Sequence, residues 1–564
     1  GLSLNSVAEP PAQLGLFTDG DAMSVMTRYD GQRESLAYLD FLPSALPYHL
    51  RQHPRVLILG AGGGTDVLLA HYQQARSIDA VELNPQVVEL VRQTYADFVG
   101  DLYRTPGVRL HVAEARGFVA ASREHYDVIQ VALLDSFGAA AAGVHALNES
   151  YVYTVEALQA YIKRLRPGGL LVLTRWLKLP PRDSVKLFAT ALAALERSGV
   201  TQAGRQLALI RGWQTTTLLV KRGELTAEEI ATIRAFCDAR SFDVAYYPGM
   251  PAALANRYNV LDAPYFFAAS MALVGAERDD FLWRYKFQIA PATDDQPYFF
   301  HFFKWRVLPE ILALRGQGGL PLLEWGYLML IVTLLQASAV SFVLIVLPLR
   351  VLRYGVASRW YWRRTGCYFA ALGLAFLFIE IAFMQRFILF LSHPLYAIAV
   401  VLGAFLVFAG LGSSYAARVT QRAQASQAQP AGRPTVVAVA GIVIIALLYL
   451  VFLEPLFQLC LSFPAVVKIG LTLALIAPLA FCMGMPFPLG LARVARQMPG
   501  MIPWAWGVNG YASVLSAILA TILAIHYGFT IVVGLALGLY MLAAVVLYGP
   551  LESEQPVDDS RGSG

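Results

Sequence analysis

The chain has 564 residues, of which 57% are hydrophobic and 15% charged, with a formal net charge of +5. A soluble globule averages roughly 45–50% apolar and about 25% charged, so this length and composition fit two or three domains of which one is unusually apolar. Basic stripes with interleaved aromatics are missing, which argues against a nucleic-acid partner, and the four cysteines and nine histidines have no metal-ligand spacing.

A start at Gly1 without methionine points to a processed chain, an internal fragment or a trimmed one, so a missing N-terminal segment is expected. Residues 1–50 read as a small β-rich element, with Asp-Gly at 19–20 and 30–31 marking turns. From 51 to about 305 short β-rich runs alternate with helical patterns. The spacing predicts strands at Arg55–Gly60, Ser77–Leu83, Val108–Val112, Tyr126–Leu133 and Gly169–Trp176, with helices starting near Thr65, Pro85, Arg116 and Asn148. Strand and helix in alternation mean parallel βαβ units and a doubly wound sheet. Two further runs, Gln206–Gly212 and Thr215–Arg222, read as an antiparallel pair at the sheet edge. That tail marks a Rossmann-like α/β domain of the S-adenosylmethionine type.

The sharpest constellation is RVLILGAGGGTD at 55–66 followed by SIDAVELNP at 77–85. An apolar strand runs into Gly60, Gly62, Gly63 and Gly64 and then a helix, where glycines permit a tight turn and close approach of a ligand. Glu82 ends the second strand, where an acid accepts ribose hydroxyls. The competing reading is a purely structural glycine turn, and the spacing is not GxGxxG, which argues against NAD. Asp135 ends the fourth strand at the carboxyl edge of the sheet, where it serves either as a proton acceptor or as an ordinary loop cap. The Ala/Gly-rich run after it is either a mobile lid, with Tyr151 or Tyr153 lining the site, or a surface loop. Asp294 and Asp295 fall where the soluble part closes.

After about residue 320 the solvent changes. Apolar runs near 321–349, 366–391, 395–417, 435–456, 464–490, 503–526 and 528–548 approach or exceed the ~20 residues that cross a bilayer. An all-α polytopic membrane domain is expected at 320–549, followed by a disordered acidic tail at 550–564. Arg350, Arg353, Arg359, Arg363, Arg364, Arg418, Arg422, Arg433, Arg493 and Arg496 all fall in alternate loops, and the intervening loops have no Lys or Arg. The positive-inside rule makes the loops of Arg359 and Arg422 cytoplasmic and taken literally puts the soluble domain outside, which conflicts with a domain built for a cytoplasmic nucleotide, so its side stays open. A multi-pass cell (inner) membrane location follows, with the bilayer as partner. Glu380 sits within one span, and either pairs with Arg386 or another helix, or marks a substrate site. GMPFPLG at 484–490 and WAWGVNG at 504–510 fit broken helices lining a cavity, or close packing.

In VLILGAGGGTD, VELNP, EARGFV, YDVIQVALLDS and LRPGGLLVLTRW the chain resembles the spermidine synthase family, and more closely its membrane-fused relatives; FIEIAFMQRFILFLSHPLYA, GMPFPLG and WAWGVNG are similar to the membrane half of the latter. The resemblance implies a domain that binds S-adenosylmethionine or its decarboxylated form and transfers a group to an amine or lipid acceptor. It implies that the 60–66 loop holds the methionine-derived part, Glu82 the ribose, and Glu114 the adenine region where the family usually has Asp. The family's loop normally reads GGGDGG, so Gly63 takes the acid's place, and Asp66 is the expected stand-in. In place of DSSD stands ALLD, so Ala132 replaces the first acid and Asp135 survives. The upstream tyrosine-histidine-glutamate motif has no match. These departures argue against ordinary putrescine transfer. Two readings result: a membrane-bound transferase, or a non-catalytic nucleoside-binding scaffold, sensor or transporter with a membrane partner.

Overall fold

The structure is a computed structural model that describes residues 1–18, 22–133, 149–313, 325–351, 359–391, 394–425, 432–461 and 463–548. It divides into two compact units, Gly1–Leu330 and Ile331–Gly564.

The first unit opens with a hairpin of β1 (Gln13–Thr18) and β2 (Ala22–Thr27), paired antiparallel. Residues 33–50 are short helical turns rather than strand. The main sheet contains β3 (Arg55–Leu59), β4 (Ser77–Glu82), β5 (Val108–Val112), β6 (Tyr126–Val131), β7 (Leu165–Trp176), β8 (Leu207–Arg211), β9 (Thr215–Lys221) and β10 (Asp243–Tyr246). Their order is β10-β8-β9-β7-β6-β3-β4-β5. Strands β3 to β7 are parallel, and β8, β9 and β10 close one side antiparallel. The order reverses between β3 and β6, so the carboxyl ends of these strands frame the crevice where such sheets bind ligands.

Helices α1 (Thr65–Tyr72), α2 (Pro85–Glu89), α3 (Ala115–Ala121), α4 (Val155–Arg164), α5 (Asp183–Arg197) and α6 (Ala227–Arg240) flank the sheet. Both faces are covered, as parallel sheets require. Along β3, Leu57 and Leu59 enter the core on one face and Val56 and Ile58 that on the other, the two-residue alternation of a strand. The antiparallel pair expected at the edge is real, but β10 lies outside β8. Asp243–Tyr246 is only four residues long, too short a run for periodicity to show.

In the second unit and leading into it are α7 (Trp325–Ser341), α8 (Arg359–Leu391), α9 (Pro394–Ala425), α10 (Gly432–Cys460), α11 (Ala465–Met483), α12 (Pro486–Gln497), α13 (Ile502–Tyr527) and α14 (Phe529–Tyr548). Among the described residues seven stretches are long and apolar enough to cross a membrane; the chain is a multi-pass membrane protein. The prolines of GMPFPLG do interrupt the path, between α11 and α12. There the backbones are pressed together: a Cβ on Gly412 would meet the carbonyl oxygen of Phe481, and one on Gly484 that of Ala409, each at 2.0 Å. WAWGVNG is not a break but part of the continuous α13, and Asn509 Nδ2 donates to the Phe369 carbonyl of α8 at 3.1 Å. Among the described residues the Glu380–Arg386 pair, one of the alternatives for Glu380, is not formed. Arg386 Nη2 donates to Thr530 Oγ1 at 3.1 Å, whereas Glu380 is buried. One and a half helical turns put the two side chains on different faces.

Candidate functional site

Strand β3 is buried up to Leu59 and turns through three glycines with left-handed φ: Gly60 at +82°, Gly62 at +50° and Gly64 at +93°. Those angles favour glycine. Every N–H of the turn is bonded within the protein. Gly60 and Ala61 donate to the Val81 carbonyl at 2.9 and 3.0 Å, and Gly64 to that of Ala61 at 2.9 Å. Gly62 donates to Glu82 Oε2 at 2.8 Å, and Gly63 to Ser24 Oγ at 2.6 Å.

Glu82 also accepts from the Asn84 N–H, through Oε1 at 2.9 Å. The two backbone bonds fix the carboxylate's orientation and use one acceptor site on each oxygen. A carboxylate has about four such sites, so both oxygens remain able to take a diol. Tyr103 Oη donates to the Gly62 carbonyl at 3.1 Å, and burial, reinforced by Glu82, pushes its phenol well above the ordinary value. Tyr103 therefore stays a donor and holds the glycine turn against the short helical turn Leu102–Arg104.

Ser24 belongs to β2, so the hairpin lies directly on the glycine turn. A Cβ at Gly63 would sit 2.3 Å from the Val25 carbonyl oxygen, and Thr65 Oγ1 donates to that oxygen at 3.1 Å. The absence of the acid expected at position 63 thus has a steric cause. No side chain fits there while β2 stays in place.

Asp66 does not stand in for that acid in the turn. Its Oδ1 accepts from Gln130 Nε2 of β6 at 2.7 Å, and Gln130 Oε1 accepts from Tyr48 Oη at 2.9 Å. Burial pushes the Asp66 carboxyl up to about 6, against the opposing effect of the Gln130 bond. This chain ties α1 to the floor of the crevice near the ends of β3 and β6.

Glu114 is the N-cap of α3, its oxygens accepting from the N–H groups of Arg116 at 2.9 Å and Gly117 at 2.6 Å. Next to it Arg116 forms an ion pair with Asp294, which also accepts from Thr154 Oγ1 at 2.7 Å. Asp294, expected only to close the domain, clamps α3 to the start of α4. Tyr153 is a core residue, fully buried and accepting from Arg175 Nη1 at 2.9 Å, rather than part of a site lining. Asp135 and the predicted lid lie outside the described residues; Ala132 is described and buried, its N–H on the Leu59 carbonyl at 3.0 Å. Among the described residues no group of three or more His, Cys, Asp or Glu is arranged to hold a metal. Sequence reasoning missed Ser24, Tyr48, Tyr103 and Gln130, of which only the hairpin carrying Ser24 had a signal, the Asp-Gly at 19–20.

The glycine turn, the acid ending β4 and the acid capping α3 come from one continuous stretch. Residues 44–180 match the family model described as spermine/spermidine synthase domain. This stretch is a spermidine synthase-like domain. Polyamine aminopropyltransferase of Korarchaeum cryptofilum is 28% identical over 123 residues, 22% of this chain and 36% of that protein. The protein of the same name from Lachnoclostridium phytofermentans is 30% identical over 161 residues, 28% of this chain and 50% of that protein. The chain therefore spans half or less of the length of these two curated relatives. The crystal structure of a probable spermidine synthase from Corynebacterium glutamicum aligns with 39% of this chain and 75% of its own, at 20% identity and a TM-score of 0.28. In the spermidine synthase-like domain two of the departures from the family's motif, Gly63 and Ala132, lie at the hairpin contact and at the end of β6.

Proposed function

We propose that the spermidine synthase-like domain binds decarboxylated S-adenosylmethionine and transfers its aminopropyl group to an amine or a membrane-embedded acceptor. In this reading Glu82 takes the ribose hydroxyls, Glu114 faces the adenine, and the sulfur-bearing chain crosses the turn of Gly60, Gly62 and Gly64. The acceptor nitrogen attacks the carbon beside the sulfonium, the carbon–sulfur bond breaks, and methylthioadenosine leaves. The proton shed by the nitrogen goes to a carboxylate, for which Asp135, just beyond the end of β6, is the assigned residue.

One observation carries the choice of donor. All five N–H groups from Gly60 to Gly64 are already bonded, to Val81, Glu82, Ser24 and Ala61. A donor with a carboxylate would find no open N–H in this turn, and it would approach Asp66. A donor without one needs no N–H from this turn. With Gly63 and Ala132 in place of two acids, the acceptor pocket is also poorer in negative charge, which favours an acceptor less cationic than a free polyamine.

Calorimetric titration of the full chain in detergent with S-adenosylmethionine, its decarboxylated form and methylthioadenosine tests the donor. The two ligands lacking the carboxylate should bind more tightly. Tighter binding of S-adenosylmethionine overturns the donor assignment.

A further inference from the structure

The first unit extends to Leu330 and so includes the opening turn of the span Gly326–Leu349. That turn is packed onto the unit's own side chains. The Tyr327 ring lies 5.4 Å from that of Phe303 and 5.9 Å from that of Trp305, centroid to centroid, and Leu328 packs on Val307. Residues 303–307 are therefore held within a side chain's length of the point where the chain enters hydrocarbon.

Next to this contact is an exposed face of aromatic and basic side chains. Trp305 is 49% exposed, and Trp283, at the end of the helix Arg278–Arg284, is 70% exposed. Arg306 joins the two indoles into one patch: it follows Trp305 in the chain, and its guanidinium lies over the Trp283 ring at 4.9 Å. Its Nη2 donates to the Tyr285 carbonyl at 2.8 Å. Lys304 Nζ donates to the carbonyls of Leu282 at 2.8 Å and Tyr285 at 2.9 Å, so backbone oxygens hold both cations at the patch. The acids of the helix, Asp279 and Asp280, lie in its first turn, away from Trp283. Arg284 and Lys286 are paired with Asp280 and Glu310.

An indole has an apolar body and a polar N–H, and such side chains collect at the level of lipid headgroups. Lysine and arginine suit the same layer, with their stems against apolar surface and their charges toward phosphates. Exposed apolar patches rimmed by polar groups mark surfaces that meet a protein or a membrane. Here the adjoining turn of the span selects the membrane.

We infer that the face carrying Trp283, Trp305, Lys304 and Arg306 rests in the phospholipid headgroup layer of the bilayer that the chain's spans cross. The contact limits how far the first unit can tilt against the bilayer. It is independent of the donor and the transfer proposed above.

The test uses the full chain in nanodiscs whose lipid has a nitroxide on its headgroup. Cys367 and Cys482 are changed to alanine, the other two cysteines being buried. A fluorophore is then attached through Arg284→Cys, beside Trp283, or through Glu34→Cys, exposed on the opposite face of the sheet. The nitroxide should quench the label at 284 strongly and leave the label at 34 unchanged. Trp283→Ala with Arg306→Gln should remove most of the quenching at 284. Equal quenching at the two positions overturns the inference without either change. Quenching at 284 that survives the double substitution also overturns it, because attachment to the span would then be enough to keep this face at the membrane.

Discussion

Glu82 has both carboxylate oxygens bound by backbone N–H groups before any ligand arrives. Glu82→Ala should weaken nucleoside binding by about 1.5–3 kcal/mol, the scale of charge-assisted hydrogen bonds. Calorimetry giving equal affinities for the two proteins would take Glu82 out of the site. At Gly63 the added methyl of Gly63→Ala meets the Val25 carbonyl, so either β2 shifts or the turn does. A loss of about 1–3 kcal/mol in stability is expected, as for overpacked interiors; an unchanged unfolding midpoint would mean that the hairpin yields freely.

Asp66 gives a pH-dependent test. With its folded carboxyl pushed up to about 6 from 3.8, the folded chain keeps a proton that the unfolded chain has released. The contribution to stability therefore falls as pH rises from about 4 to about 6, and the loss is complete above that window. Asp66→Asn should gain stability relative to wild type across the same window and hold a constant advantage above it. Midpoints measured from pH 4 to 7.5 check this. A difference independent of pH would show that the carboxyl does not titrate there.

Among the elements, the hairpin of β1 and β2 was legible as a hairpin but not as a partner of the glycine turn. Asp-Gly punctuation signals a local reversal, whereas the Ser24–Gly63 bond spans 39 residues and leaves no periodic trace. The parallel strands were legible because buried strands read as short apolar runs between turn residues. β10 was not, since four residues carry too little pattern. At the site, Glu82 stood out through its distance from the glycines, while Gln130 and Tyr48 look like any polar residue in an apolar run. Sequence proximity to the loop suggested a ligand role for Asp66, and what could not be read was its bond to Gln130 of β6. Ser24→Ala tests the hairpin's part. It leaves the Gly63 N–H open, so affinity for S-adenosylmethionine should rise relative to the decarboxylated form. An unchanged ratio in competition titrations would show that this N–H does not discriminate between donors.

At the scale of the whole molecule, the crevice proposed to bind a nucleoside and a set of apolar spans share one chain, and the side on which the crevice lies decides what it can meet. We propose from the positive-inside rule that the ends of α8 and α9 carrying Arg359 and Arg422 face the cytoplasm. A cysteine introduced at either should be protected from an impermeant thiol reagent in intact cells and react once the cells are opened. Rapid labelling of both in intact cells would reverse the orientation. The central claim, however, is the transfer itself. Membranes containing the full chain, given decarboxylated S-adenosylmethionine labelled in its aminopropyl group, should release methylthioadenosine and move the label into an acceptor. Asp135→Asn should lower that rate by about 10²–10⁴-fold while nucleoside affinity stays as in wild type. Membranes that bind the donor yet release no methylthioadenosine above a Glu82→Ala control would contradict the claim and leave a nucleoside-binding scaffold in its place.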